Sequence, residues 1–180
     1  MGLFRKATPP HQTALAMIGA RAGDRLLAVG RPEPAVIAEL ARVTGLTGQT
    51  LLASHHAGRT PYDKAAAEAG VLIEVVDAPV DAPVVPPTSG DHDVVVLHFD
   101  LVGLDAETRD QLATSAFAAV RPGGRVVVIE GRPQTGWFST RSTSLAPDDV
   151  MAMLTRAGGL AVRHLSTADG IMYFEARKPR

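Results

Sequence analysis

The stretch AVRPGGRVVVIEG, residues 119–131, decides the fold. Its last seven residues, 125–131, contain the unbroken apolar run VVVI, which is typical of a strand buried on both faces of a sheet. The RPGG segment at 121–124 ends the helix that precedes it, because proline and paired glycines do not continue a helix. Strands buried on both faces belong mostly to parallel sheets with helices on each side, so this stretch indicates an α/β fold.

Further apolar runs lie upstream and alternate with helical patterns. The strands predicted from them cover residues 25–30, 50–54, 71–76 and 93–99. The helices predicted from apolar residues spaced three or four apart cover residues 11–22, 35–45, 61–70, 105–120 and 146–159. Because strands and helices alternate, the strands should pair in parallel. Residues 161–178 then read as a hairpin around Asp169-Gly170, a strong turn signal.

Two segments are predicted to be loops. Residues 78–91 contain four prolines, which do not fit inside a helix, so we expect no helix from Pro79 to Gly90. Apolar surface left there would be covered by a partner or by a second copy of the chain. The second loop, 132–144, holds Trp137-Phe138, which is either a lid or partner contact or a hydrophobic plug on the sheet.

Composition excludes several classes of function. The chain has 180 residues, 46% of them hydrophobic, which fits one domain over 1–180, with residues 1–24 as an N-terminal segment and covering helix. Its 18 Lys and Arg against 19 Asp and Glu give a net charge of -1, which argues against nucleic acid as a partner. The chain contains no cysteine. Its apolar stretch at 14–20 is too brief for a signal peptide or a membrane span. We therefore expect a cytoplasmic protein without membrane contact.

The element order and two local phrases resemble the class I S-adenosylmethionine (SAM) methyltransferases over nearly the whole chain. RAGDRLLAVG, residues 21–30, is similar to that family's entry into its first strand, and residues 119–131 are similar to its turn into the fifth. The resemblance implies an α/β fold with a mostly parallel, twisted, seven-stranded sheet and helices on both faces. It also implies a C-terminal antiparallel hairpin that places the last strand between strands five and six.

The loop after the first strand departs from the family's pattern, which is an acidic residue, any residue, and then three alternating glycines. Here residues 28–34 read AVGRPEP, so only the first glycine is kept. The resemblance assigns Gly30, Arg31 and Glu33 to cofactor binding. The two prolines remove N–H donors and fill space that glycine leaves open. The loop is therefore either a plain helix cap or a loop that holds SAM in an altered pose.

The other cofactor positions implied by the resemblance follow strands two and three. Ser54 and His55 stand where the family usually places an acid on the ribose hydroxyls, and Asp77-Ala78 resembles its pair at the adenine. The acid of the loop after strand one, replaced by Ala28, and the acid after strand two are both lost, whereas Asp77 keeps the third contact. Losing these two acids costs about 2–3 kcal/mol, or about a 30- to 150-fold loss of affinity, because neutral groups bind a diol more weakly. We expect SAM to be weak or lost as a cofactor.

The carboxyl ends of strands in an open α/β sheet converge on one crevice. The polar residues and glycine expected there are Gly30, Ser54, His55, Asp77, His98, Asp100 and Glu130. His98 and Asp100, at the end of strand four, are the candidate catalytic residues, since a histidine beside an acid can act as a general base near neutral pH. A hydrogen-bonded structural role for His98 is the alternative.

No metal site is expected. The neighbouring residues His55 and His56 would point to opposite faces of a strand, so both cannot easily join one coordination sphere. The sequence also contains no nucleophile triad motif, Walker loop or full dinucleotide fingerprint.

Three functions remain open at this point. The first is a methyltransferase-like protein with an eroded cofactor loop that works as a binding or partner module, with a small molecule or a protein as its partner and a homo-oligomer left open. The second is an active SAM-dependent methyltransferase acting on a small molecule. The third is another α/β enzyme or nucleotide binder. The fold alone does not choose among them, because function depends on the site.

Overall fold

The computed structural model describes residues 10–54, 59–78, 85–86, 90–99, 101–131 and 144–180. Its strands are β1 (Arg25–Gly30), β2 (Gln49–Ser54), β3 (Glu74–Asp77), β4 (His92–Phe99), β5 (Val120–Glu130), β6 (Leu160–Ala168) and β7 (Ile171–Arg177). Its helices are α1 (Pro10–Ile18), α2 (Pro34–Thr44), α3 (Arg59–Ala69), α4 (Ala106–Ala119) and α5 (Pro147–Arg156). A 3₁₀ turn, Leu101–Gly103, follows β4. No helix in these ranges is long and apolar enough to cross a bilayer.

The strands form one seven-stranded sheet with the order β3-β2-β1-β4-β5-β7-β6. Strands β1 to β5 are parallel, and β7 is antiparallel to both of its neighbours, β5 and β6. This confirms the predicted α/β fold, the C-terminal hairpin and the position of the last strand. The hairpin turns at Asp169 and Gly170, where φ is 52° and 82°. Positive φ at both central residues suits the twist of a two-residue hairpin.

Helices cover both faces of the sheet, as predicted. Helices α1, α2 and α3 pack on one face through Ala14, Ile18, Ile37, Leu40 and Tyr62. Helices α4 and α5 pack on the other through Leu112, Phe117, Met153 and Leu154. Side chains alternate along β4, so Val96 faces α1 and α2 while Leu97 faces α4. By the same alternation His98 lies on the side of α1 and α2.

Two element boundaries differ from the predicted ones for a local reason. The prediction that strand three begins at residue 71 is wrong, because the Val71 N–H donates to the Ala66 carbonyl at 3.0 Å and so belongs to the end of α3. The prediction that the first helix reaches residue 22 is also wrong. Gly19, at φ 56°, donates to the Leu15 carbonyl at 2.8 Å, and α1 ends at Ile18.

The two predicted loops lie largely outside the described residues. Of the segment from Pro79 to Gly90, the structure describes Val85, Pro86 and Gly90, and none of these is helical. Val85 is buried in the core on the α4 side. The pair Trp137-Phe138 falls within 132–143, outside the described ranges.

Candidate functional site

The sheet register lines up the strand ends on which the predicted site depends. Gly30 pairs with His98 across β1 and β4, and His98 pairs with Ile129 across β4 and β5. Ser54 pairs with Asp77 across β2 and β3. These residues therefore occupy one edge of the sheet, at the carboxyl ends of its parallel strands.

A cavity of about 250 Å³ lies beside this edge, between the sheet and helices α1 and α2. Three of the predicted site residues, Arg31, Glu33 and His98, line it. The walls are otherwise mainly apolar and include Ala14, Ile18, Val36, Ile37, Val96 and Ile129. Apolar walls with a few polar groups are typical of a small-molecule site.

His98 lines this cavity from the end of β4. Its Nδ1 is buried and has no hydrogen-bond partner among the residues that the structure describes. Burial lowers the pKa of His98 to about 4, because the charged imidazolium loses its hydration. The ring is therefore neutral near pH 7. It can make a hydrogen bond there, but it is a poor proton acceptor for general-base catalysis.

The loop after β1 is held by backbone contacts. Gly30 has a φ of 114°, a conformation that glycine adopts without strain. The Arg31 N–H donates to the His98 carbonyl at 3.2 Å. Glu33 precedes α2 in an extended conformation and makes no side-chain capping hydrogen bond, and Pro34 begins the helix. The side chains of Arg31 and Glu33 are exposed at the rim of the cavity.

Tyr62 closes the space between this loop and the end of β2. Its hydroxyl donates to the Pro32 carbonyl at 2.7 Å, and its ring is the buried side chain of α3. Burial raises the pKa of Tyr62, against the smaller lowering effects of a hydrogen bond with Ser54 and of the Arg31 charge. Ser54, predicted to bind the ribose, is itself only 5% exposed. The position that would meet a ribose is therefore packed against a tyrosine.

The contact of Tyr62 with the loop gives a direct prediction. Tyr62→Phe leaves the buried Pro32 carbonyl without its donor and should lower the free energy of unfolding by about 1–2 kcal/mol. Urea unfolding measures this difference. Tyr173→Phe removes the same hydroxyl from the only other tyrosine and is the control. An equal loss in both variants would mean that the bond to Pro32 contributes nothing particular.

The remaining predicted cofactor residues lie apart from the cavity. The Ala78 N–H donates to the Ser54 carbonyl at 2.9 Å and so continues the pairing of β2 with β3. The Asp77 side chain is exposed at the end of β3. Neither residue lines the cavity. His55 and the candidate catalytic residue Asp100 lie outside the described part of the chain.

Glu130 lies at the same edge but on the opposite face of the sheet from His98. It is fully buried, and its Oε2 accepts a hydrogen bond from the Leu101 N–H at 2.7 Å. This bond fixes the 3₁₀ turn after β4. Within the described ranges, no group of three His, Asp or Glu side chains lies close enough together to hold a metal ion.

Comparison with known proteins then identifies the architecture. No protein-family model and no curated protein matches the sequence. Solved structures do match: a SAM-dependent methyltransferase from Aquifex aeolicus aligns with a TM-score of 0.73 and 15% identity, over 93% of this chain and 89% of that one. The chain has the class I methyltransferase fold.

Other proteins of this fold are longer than the present chain. The apo form of the SAM-dependent methyltransferase SibL aligns with a TM-score of 0.72 and 21% identity, over 95% of this chain but 55% of SibL. A putative O-methyltransferase from Nostoc punctiforme aligns with a TM-score of 0.73 and 14% identity, over 94% of this chain and 56% of that one. The chain thus spans about half the length of these two proteins.

Sequence reasoning missed Tyr62 and Tyr173, which both border the site. Tyr62 is an isolated aromatic on an alanine-rich, mostly exposed helix, and that isolation was the available signal. Tyr173 lines the cavity from β7, next to Ile171. Burial raises the pKa of Tyr173, and the nearby carboxylates of Glu33 and Asp169 raise it further.

Proposed function

We propose that this methyltransferase-fold chain binds SAM weakly or not at all and works as a binding module for a small molecule or a protein partner. One observation carries this proposal. The loop that should approach SAM contains Pro32 and Pro34, and its Pro32 carbonyl is bonded to the buried Tyr62 hydroxyl at 2.7 Å.

Two further features support weak SAM binding, and a third argues against catalysis. Proline has no N–H to donate, so the loop offers fewer donors than a glycine loop does. Ser54 replaces the acid that would hold the ribose, and it is buried against Tyr62. His98, with a pKa of about 4, is a weak base for removing a proton from a methyl acceptor at neutral pH.

An active SAM-dependent methyltransferase acting on a small molecule is the second candidate. The observation in its favour is the cavity of about 250 Å³, which reaches the end of β4 at His98 and the loop at Arg31 and Glu33. A methyl acceptor bound there would lie next to the loop after β1. Such an enzyme would have to hold SAM mainly by backbone and apolar contacts.

Thermal unfolding with SAM separates the two candidates, because a ligand stabilises the folded state by RT ln(1 + [L]/Kd). At about 1 mM SAM, a Kd of about 1 mM adds about 0.4 kcal/mol, which raises Tm by about 1 °C for a chain of this size. A Kd of about 10 μM adds about 2.7 kcal/mol, or about 5–10 °C. We expect the small shift. A shift above about 5 °C would contradict the proposal and favour the enzyme.

A loop variant tests whether the prolines are the cause. Pro32→Gly combined with Pro34→Gly should enlarge the SAM-induced shift, because it adds two N–H donors and removes two rings. Pro147→Gly makes the same change at the start of α5 and should leave the shift unchanged. Ala28 stays as it is, since it is fully buried among apolar residues and an aspartate there would be an unpaired buried charge. No gain in the double variant would argue that the prolines do not exclude SAM.

A further inference from the structure

The cavity between α1, α2 and the sheet has a shape and chemistry that point to one kind of ligand. We infer that it binds a small, neutral, mostly apolar molecule that carries one hydroxyl group, with that hydroxyl hydrogen-bonded to the His98 imidazole. This inference rests on the proposed function, because it names the ligand of the binding module.

The volume of the cavity limits the size of the ligand. An apolar cavity of about 150 Å³ in a protein interior is large enough for benzene. The cavity here, at about 250 Å³, has room for a ring with a short substituent. SAM, with a nucleoside, a charged sulfur and an amino acid, would extend well beyond this space. The ligand is therefore on the scale of an alkylphenol.

The walls determine which parts of that ligand are apolar. Ile18 of α1, Ile37 of α2 and Ile129 of β5 are each at most 2% exposed and face the cavity. They offer no hydrogen bonds, so they favour hydrocarbon surface on the ligand and penalise polar groups. The charged side chains, Arg31 and Glu33, are exposed at the rim and of opposite sign, so they select no net charge on the ligand.

His98 supplies the polar contact. Its ring lines the cavity, and its Nδ1 is buried with no partner among the described residues. A buried polar group without a partner is uncommon in folded proteins, and the usual remedy is water or a ligand. A neutral imidazole has one donor and one acceptor nitrogen, and a hydroxyl can pair with either of them. A hydroxyl group thus fits His98 in both tautomers.

Binding of 4-ethylphenol tests the cavity. Titration followed by ¹H–¹⁵N NMR should give a Kd of about 1 mM or tighter, with shifts concentrated on α1, α2 and β4. Ala14→Leu places extra bulk in the cavity and should weaken binding at least 10-fold. Ala16→Leu is the matched control, since Ala16 lies on the exposed side of α1 and does not line the cavity. No binding to the natural protein, or equal weakening in both variants, would overturn the inference.

Ethylbenzene tests the role of His98, because it lacks only the hydroxyl of 4-ethylphenol. The natural protein should prefer 4-ethylphenol. His98→Leu removes the hydrogen bond and should reduce this preference, measured as the ratio of the two Kd values, by about 5-fold. His98→Gln keeps a polar partner and should retain part of the preference for 4-ethylphenol. An unchanged ratio in His98→Leu would show that the ligand hydroxyl does not bond to His98. If His98→Leu does not fold, the Ala14→Leu and His98→Gln results still decide it.

The same titrations separate this inference from the proposed function. If SAM raises Tm by more than about 5 °C, the proposed function fails, whatever 4-ethylphenol does. If SAM binds weakly and 4-ethylphenol does not bind, the proposed function stands and the cavity assignment fails. Weak SAM binding together with 4-ethylphenol binding that Ala14→Leu weakens at least 10-fold supports both.

Discussion

Acidification from pH 7 to pH 4 is expected to destabilise the fold by about 3 kcal/mol through His98 alone. Burial lowers the pKa of His98 from 6.5 to about 4 in the folded chain. Between these two values the unfolded chain binds the proton and the folded chain does not, so stability rises with pH across this window. The contribution is fully present above about pH 6.5 and is lost as the pH falls towards 4. For this chain length, the loss corresponds to about 6–12 °C in Tm.

The comparison with His98→Leu isolates this effect from other titrating groups. Urea unfolding at a series of pH values between 4 and 7 should give a shallower pH dependence for the variant, by about 3 kcal/mol across the range. His11, Arg31, Glu33 and Tyr173 face the same cavity and are present in both proteins. The pKa of His92 is also lowered by burial, and its contribution cancels in the same way. Parallel curves for the two proteins would show that His98 does not titrate as a buried group.

The sheet was largely predictable, because its strands carry their signals locally. The apolar runs within 93–99 and 125–131 became β4 and β5, two neighbouring parallel strands inside the sheet. The turn signal Asp169-Gly170 correctly located the hairpin, since few residues accept positive φ at both turn positions. The start of β3 was not predictable in this way. Residues 71–73 are as apolar as a strand, but a hydrogen bond from Val71 to Ala66 ties the first of them to α3.

The sequence predicted only those parts of the site that follow from the order of the strands. The rule that parallel strands meet at their carboxyl ends correctly brought Gly30 and His98 to one edge, where the register pairs them. This rule does not say which face of the sheet each side chain takes, and Glu130 lies on the opposite face from His98. It also could not find Tyr62, because that residue reaches Pro32 across 30 positions of sequence. Such contacts depend on how α3 packs, which no local pattern encodes.

Arg125 is a second long-range contact of this kind, and it attaches α1 to the sheet. Its Nη2 donates to the Ile18 carbonyl at 2.6 Å and also to the Gly19 carbonyl, which satisfies the end of the helix. Its Nη1 lies 3.5 Å from the buried Glu175 carboxylate on β7. Arg163 binds the same carboxylate at 2.8 Å from the other hairpin strand, but its own side chain is 58% exposed. Arg125 therefore links α1 to β7, and both of these elements line the cavity.

Replacing Arg125 should be one of the most damaging single changes in the chain. Arg125→Met keeps the length of the side chain but leaves two helix-end carbonyls without donors and Glu175 with fewer partners, so we expect a loss of about 3 kcal/mol. Thermal unfolding should show a decrease in Tm of about 6–12 °C. Arg163→Met breaks an exposed contact to the same carboxylate and should cost about 1 kcal/mol or less. Equal losses would place the stabilisation in Glu175 rather than in α1.

The same pair of variants also tests whether Arg125 supports ligand binding by holding α1 beside the cavity. Ala14 and Ile18 line the cavity from α1, so loosening the end of this helix should weaken 4-ethylphenol binding. We expect the Kd to rise at least 5-fold in Arg125→Met, because a fluctuating wall has to be ordered again each time the ligand binds. Arg163→Met leaves the bonds of Arg125 to the Ile18 and Gly19 carbonyls in place and should bind as the natural protein does. If both variants bind 4-ethylphenol equally well, α1 holds its place without Arg125.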